Sequence, residues 1–140
     1  MNYVVTGATG FIGKFLIEQL LQDEGVTVHA LVREGSETKF EALESRFSSL
    51  PGTLVRLPGD VTQADLVSAA QLKKLVGKVQ HVFHLAAVYD MDMSDDTANR
   101  INIEGTRNVL AFVKALGGEV RLHHVSSIAV AGAGFSGRFT

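Results

Sequence analysis

A β-branched strand that runs into three glycines spaced three apart, and from there straight into a helix, leaves few folds open to this chain. Met1-Asn2-Tyr3-Val4-Val5-Thr6 is the strand, Gly7-Ala8-Thr9-Gly10-Phe11-Ile12-Gly13 the turn, and a helical apolar pattern follows. Glycines let the backbone bend sharply and approach a ligand without a Cβ in the way. The N–H groups and dipole at the start of the helix then favour negative charge. Gly7, Thr9, Gly10, Phe11, Ile12 and Gly13 are therefore expected to cradle a diphosphate. The spacing is G-x-x-G-x-x-G, and the strand before it and helix after it give it its specificity.

A chain of 140 residues that is 46% hydrophobic can bury one core, so residues 1–140 are expected to form one domain. Its 13 basic and 15 acidic residues form no block of like charge, which argues against nucleic acid or an anionic membrane as partner. Without cysteine, and with five scattered histidines, no metal site is expected. No apolar run is long enough to span a membrane, and a soluble cytoplasmic protein is expected.

Taken in order, the chain alternates strand and helix. Ile12, Leu16 and Leu20, with Phe15 beside them, predict the first buried stripe, and Gly25 ends it before the strand Val26 to Val32. Ser36 is placed to cap a helix carrying Phe40, Leu43 and Phe47, and Pro51-Gly52 leads to a strand over Thr53 to Leu57. Thr62-Gln63-Ala64-Asp65 has capping-box form and predicts a helix from there to Gly77, followed by a strand from Gln80 to Leu85. Ala98, Ile101, Gly105, Val109, Phe112 and Leu116 mark the longest helix, and Val120 to Ser126 a fifth strand. Five alternations predict a doubly wound α/β fold: an open parallel sheet covered on both faces, with a ligand crevice where the strand order reverses.

The strand-tip motifs carry a resemblance. Thr6 to Gly13, Gly59-Asp60-Val61, His84-Leu85-Ala86-Ala87, Asn102-Ile103-Glu104-Gly105-Thr106 and Val125-Ser126-Ser127 resemble, in order, those of the extended short-chain dehydrogenase/reductase family. Phe83 to Asp90 and His123 to Gly132 are similar in wording to its fatty acyl-CoA and thioester reductase branch. The resemblance implies a Rossmann fold and an NADP- or NAD-dependent oxidoreductase.

Arg33 ends the second strand, about 20 residues after the glycine loop, where an NAD enzyme of this fold places an acid for the ribose 2′-hydroxyl. A guanidinium there suits a 2′-phosphate, so NADP(H) is expected over NAD(H). An ordinary solvated arginine, with Glu34 on a ribose hydroxyl, stays open. By resemblance, Asp60 with Val61 contacts adenine, Leu85, Ala86 and Ala87 form a low ledge under the cofactor, and Asn102 faces the crevice. Each also has a plainer reading, as a turn residue, core residues or a surface asparagine. His84, His123 and His124 read as strand residues with satisfied ring nitrogens.

Ser127 falls on the family's catalytic serine, which donates to the substrate carbonyl beside a Tyr-x-x-x-Lys pair. Here the pattern breaks: the two tyrosines are Tyr3 and Tyr89, and the fourth residue after Tyr89 is Met93. The chain is thus expected to be the N-terminal part of a reductase acting on a carbonyl or acyl thioester, inactive alone. A nucleotide-sugar epimerase or dehydratase and a dinucleotide-sensing module are the alternatives, and a homodimer is left open.

Overall fold

Val4 and Val5 are neighbours in the first strand, and both are completely buried. Successive strand residues point to opposite faces, so the sheet is covered on both sides. The computed structural model describes residues 1–86 and 95–125. They form β1 (Asn2–Thr6), α1 (Phe11–Leu20), β2 (Thr27–Val32), α2 (Glu37–Arg46), β3 (Thr53–Pro58), α3 (Ala69–Leu75), β4 (His81–His84), α4 (Asp95–Leu116) and β5 (Arg121–His124).

The strands make one sheet in the order β3-β2-β1-β4-β5, parallel throughout. Val5, Val28, Ala30 and Val32 pack on one face against Ile17 of α1 and Phe40 and Leu43 of α2. On the other, Val4, Leu57 and Val82 pack against Leu75 of α3 and Val109, Phe112 and Leu116 of α4. The order reverses between β1 and β4, so the chain leaves these neighbours in opposite directions and opens a crevice at their C-terminal ends. The α/β architecture agrees with the sequence reading, as does the stripe on α4 at Val109, Phe112 and Leu116; the Ile101 side chain lies outside those described.

Two helices differ from it. In α1 the buried stripe is Gly13, Ile17 and then Leu21, while Ile12 and Phe15 are more than half exposed. Gly13 is responsible: a Cβ there would lie 2.3 Å from the Gly7 carbonyl oxygen, so the helix approaches the turn along its glycine, not along its larger side chains. The third helix begins at Ala69, well after Thr62. Asp60 Oδ1 accepts from both the Thr62 N–H and its hydroxyl, at 2.9 and 2.8 Å. Asp60 N–H donates to the Leu66 carbonyl at 2.8 Å, and Gly59 and Val67 form an antiparallel bridge. Residues 60–67 therefore fold as a tight loop that buries Leu66 and Val67. Ser68 is the cap that operates, accepting from Gln71 N–H at 3.2 Å. Ser36 does stand at the N-cap of α2, though its side chain makes no capping hydrogen bond.

Candidate functional site

The glycine turn sits at the C-terminal end of β1, in the crevice. Gly7 has φ +71°, and a Cβ on it would lie 2.8 Å from Ala86 N, so the turn rests directly on the tip of β4. Gly10 N–H donates to the Gly7 carbonyl at 3.1 Å, and Gly10 is the N-cap of α1 with no side chain to satisfy the first turn. The N–H groups of that turn have no partner within the helix and face the crevice with the positive end of its dipole.

Beside this turn lies a cavity of about 270 Å³. It is lined by Gly7, Thr9 and Gly10 of the turn, Arg33 after β2, Asp60 and Val61 after β3, Ala86 after β4 and Asn102 of α4. Four strand tips and one helix thus bring together eight of the residues singled out from the sequence. Phe11, Ile12, Gly13 and Leu85 are not among the lining residues. The first of them is 77% exposed, and the Phe11 ring packs edge-on against Phe15, with centroids 5.1 Å apart. Ala87 and Ser127 lie outside the described residues. Lys39 and Ser36 also line the cavity and were missed. Lys39 stands three residues beyond the N-cap of α2, and nothing in its local sequence sets it apart from any other exposed lysine.

Two loops are tethered to α4. Asn108 Nδ2 donates to the Val61 carbonyl at 2.8 Å, fixing the loop that carries Asp60. His84 is 3% exposed, and both its ring nitrogens are engaged, Nδ1 with Thr6 Oγ1 at 2.7 Å and Nε2 with Thr106 Oγ1 at 3.3 Å. Burial, and then the nearby His124 ring, lower the His84 pKa to about 4. His29 is lowered by burial, and His81 by burial and then by His123 and Arg121.

Stability should respond accordingly. Below the ordinary value of 6.5 the unfolded chain takes up a proton at His84, while the folded chain resists until about 4. Folding stability is fully present above that window and drops through it, by on the order of 3 kcal/mol from this residue. Urea melts at stepped pH should show the fall, and His84→Phe, weaker at neutral pH, should show a shallower one. Equal acid slopes in the two proteins would count against the assignment.

The family model described as male sterility protein, an NAD-binding domain, matches residues 5–140. A dTDP-glucose 4,6-dehydratase of Mycobacterium tuberculosis is 34% identical over 94% of this chain and 38% of its own length. Fatty acyl-CoA reductase 1 of Gallus gallus is 26% identical over 90% of this chain and 28% of its own. The crystal structure of yeast methylglyoxal/isovaleraldehyde reductase Gre2 complexed with NADPH superposes with a TM-score of 0.72 at 25% identity, covering 92% of this chain and 38% of that one. The chain spans about a third of the length of the curated relatives it matches.

Proposed function

Because the chain belongs to the NAD-binding domain family described as male sterility protein, we propose that it is the dinucleotide-binding part of an NADP(H)-dependent oxidoreductase that reduces a carbonyl or a fatty acyl thioester. The observation that carries this reading is that Arg33, Lys39 and Ser36, whose chemistry suits a phosphate, line the β2–α2 side of the cavity together. A guanidinium grips a 2′-phosphate in a fork, lysine adds a second positive charge, and the serine hydroxyl can donate. NAD(H) offers these groups only a hydroxyl.

The rest of the cavity fits the same ligand. The diphosphate would lie over Gly10 and the N-terminus of α1, where N–H groups and dipole meet it. Adenine would lie near Asp60 and Val61, with Asp60 Oδ1 already holding the loop in shape. The low ledge at Ala86, with Asn102, leaves room for the far end of the dinucleotide. When bound, the nicotinamide supplies the hydride, and Ser127 is the residue assigned to polarise the acceptor's carbonyl oxygen. The chicken acyl-CoA reductase and the NADPH-bound yeast reductase support this reading. The mycobacterial dehydratase, at 34% identity, supports nucleotide-sugar dehydration as the second reading.

The cofactor assignment is tested by titrating the protein with NADPH and NADH by fluorescence. NADPH should bind more tightly, and Arg33→Ala should erase most of the difference. A bidentate contact of ~1.5–3 kcal/mol corresponds to roughly 10- to 150-fold in affinity. Equal affinities in the unmutated protein would overturn the NADP(H) reading.

A further inference from the structure

The strongest unassigned feature is a buried chain of hydrogen bonds beneath the cavity. Thr6 is fully buried at the tip of β1. Its hydroxyl oxygen accepts from Leu85 N–H at 3.1 Å, a donor shared with the Thr6 carbonyl at 3.3 Å, and from Ala86 N–H at 3.2 Å. Both lone pairs are then used, so its one proton must go to His84 Nδ1, 2.7 Å away. The far end reaches the same answer independently. The Thr106 hydroxyl donates to the Asn102 carbonyl at 2.9 Å, so toward His84 Nε2, at 3.3 Å, it can only accept. The imidazole therefore has to carry its proton on Nε2 and none on Nδ1.

From this we infer that His84 is a positioning residue, a neutral Nε2–H imidazole that locks the tip of β4 to the glycine turn and to α4 and thereby sets the floor of the dinucleotide cavity. The chain of bonds ends on the two residues the ligand would meet, Ala86 through its N–H and Asn102 through its carbonyl. Gly7 leaves no slack, since a Cβ there would lie 2.8 Å from Ala86 N. An imidazolium would place a donor against the Thr6 hydroxyl, which would then have to release an amide. The groups facing the ring from β1 and α4, Thr6, Thr106 and Asn102, do not titrate. From β5 it is faced by His124, whose ring centroid is 5.3 Å away. The inference rests on the dinucleotide reading for its effect on affinity, but its tautomer and amide bonds do not.

The test combines ring nitrogen NMR on the 140-residue chain with dinucleotide titrations of Thr6→Val, Thr6→Ser and His84→Phe. The expected spectrum at neutral pH has a protonated Nε2 and a bare Nδ1 at His84, with slow hydrogen exchange at the Leu85 and Ala86 amides. Thr6→Val and His84→Phe should weaken NADPH binding by about 10- to 100-fold while keeping the native circular dichroism spectrum, and Thr6→Ser should restore it to within about threefold. An Nδ1–H tautomer, an imidazolium at neutral pH, or unchanged affinity in folded Thr6→Val would overturn the inference. If the unmutated chain binds no dinucleotide, the functional reading fails. The positioning role is then decided by the Ala86 amide, since that of Leu85 keeps the Thr6 carbonyl as a partner: faster exchange at Ala86 in Thr6→Val upholds it, and unchanged exchange refutes it. Should His84→Phe fail to fold, Thr6→Val and its serine rescue still decide the matter.

Discussion

Gly10→Val is expected to abolish dinucleotide binding in a chain that stays folded, whereas Gly13→Val is expected to destroy the fold itself. The difference comes from what a side chain would meet at each position. Gly10 has φ −78°, which any residue adopts, and among the described residues a Cβ on it would meet only the Gly7 carbonyl oxygen, at 3.3 Å. Valine there fits the backbone but puts two methyl groups where the helix N-terminus opens to the cavity that Gly10 lines. At Gly13 a Cβ would lie 2.3 Å from the Gly7 carbonyl oxygen and 2.8 Å from that of Ala8. Both are backbone atoms of a tight turn that itself rests on β4, so no neighbour can yield cheaply. A cost above ~3 kcal/mol is expected, a large part of the stability of a domain this size. Circular dichroism melts and NADPH titrations on the two variants separate the effects. Undiminished binding by folded Gly10→Val would move the diphosphate away from the turn, and a native-like melt for Gly13→Val would mean that the turn is looser than its geometry.

How far the sequence could be read depended on whether the signal was local. The glycine turn, the alternation of strands and helices and the stripe of α4 from Val109 to Leu116 rest on short-range spacing, and they appear as read. The face of α1 does not, because Ile12 and Phe15 outweigh Gly13 in any hydrophobic pattern, yet it is the absent side chain of Gly13 that sets the closest approach. The start of α3 was misplaced because Thr62 and Ser68 both offer a helix cap. What decides between them is the fold of the loop held by Asp60, and its antiparallel bridge to Val67 is not a helical pattern. Within the site, Arg33 and Asp60 were legible because strand tips converge in this architecture. Lys39 was not, since an exposed lysine on a helix has no distinguishing pattern until α2 is placed beside β2. The histidine chain was invisible for a stronger reason: Thr6 and His84 are 78 residues apart, and only the parallel register of β1 and β4 brings them opposite each other.

The 140-residue chain is expected to show no measurable hydride transfer, even where it binds NADPH tightly. Reducing a carbonyl requires a proton for the developing alkoxide as well as the hydride, and a tyrosine whose pKa is lowered by lysine four residues on is the family's source of it. Neither tyrosine here has that partner. Tyr3 is also at the wrong end of the sheet. It lies three residues before Thr6 on β1, about 10 Å from the tip that forms the cavity at ~3.3 Å per residue. Its hydroxyl meets Met1 Sδ at 3.0 Å, and its ring stacks on His81 with centroids 5.1 Å apart. His84, buried at the end of β4, has its Nε2 proton committed to Thr106 and a pKa lowered to about 4, so it is no general acid at neutral pH. The loss of a positioned general acid costs ~10²–10⁴-fold in rate. Loss of NADPH absorbance with a long-chain acyl-CoA, an aldehyde and a ketone is the measurement. Robust turnover by these residues alone would overturn the proposed division of labour, while turnover by a longer parent that contains Tyr-x-x-x-Lys and loses activity on Ser127→Ala would support it.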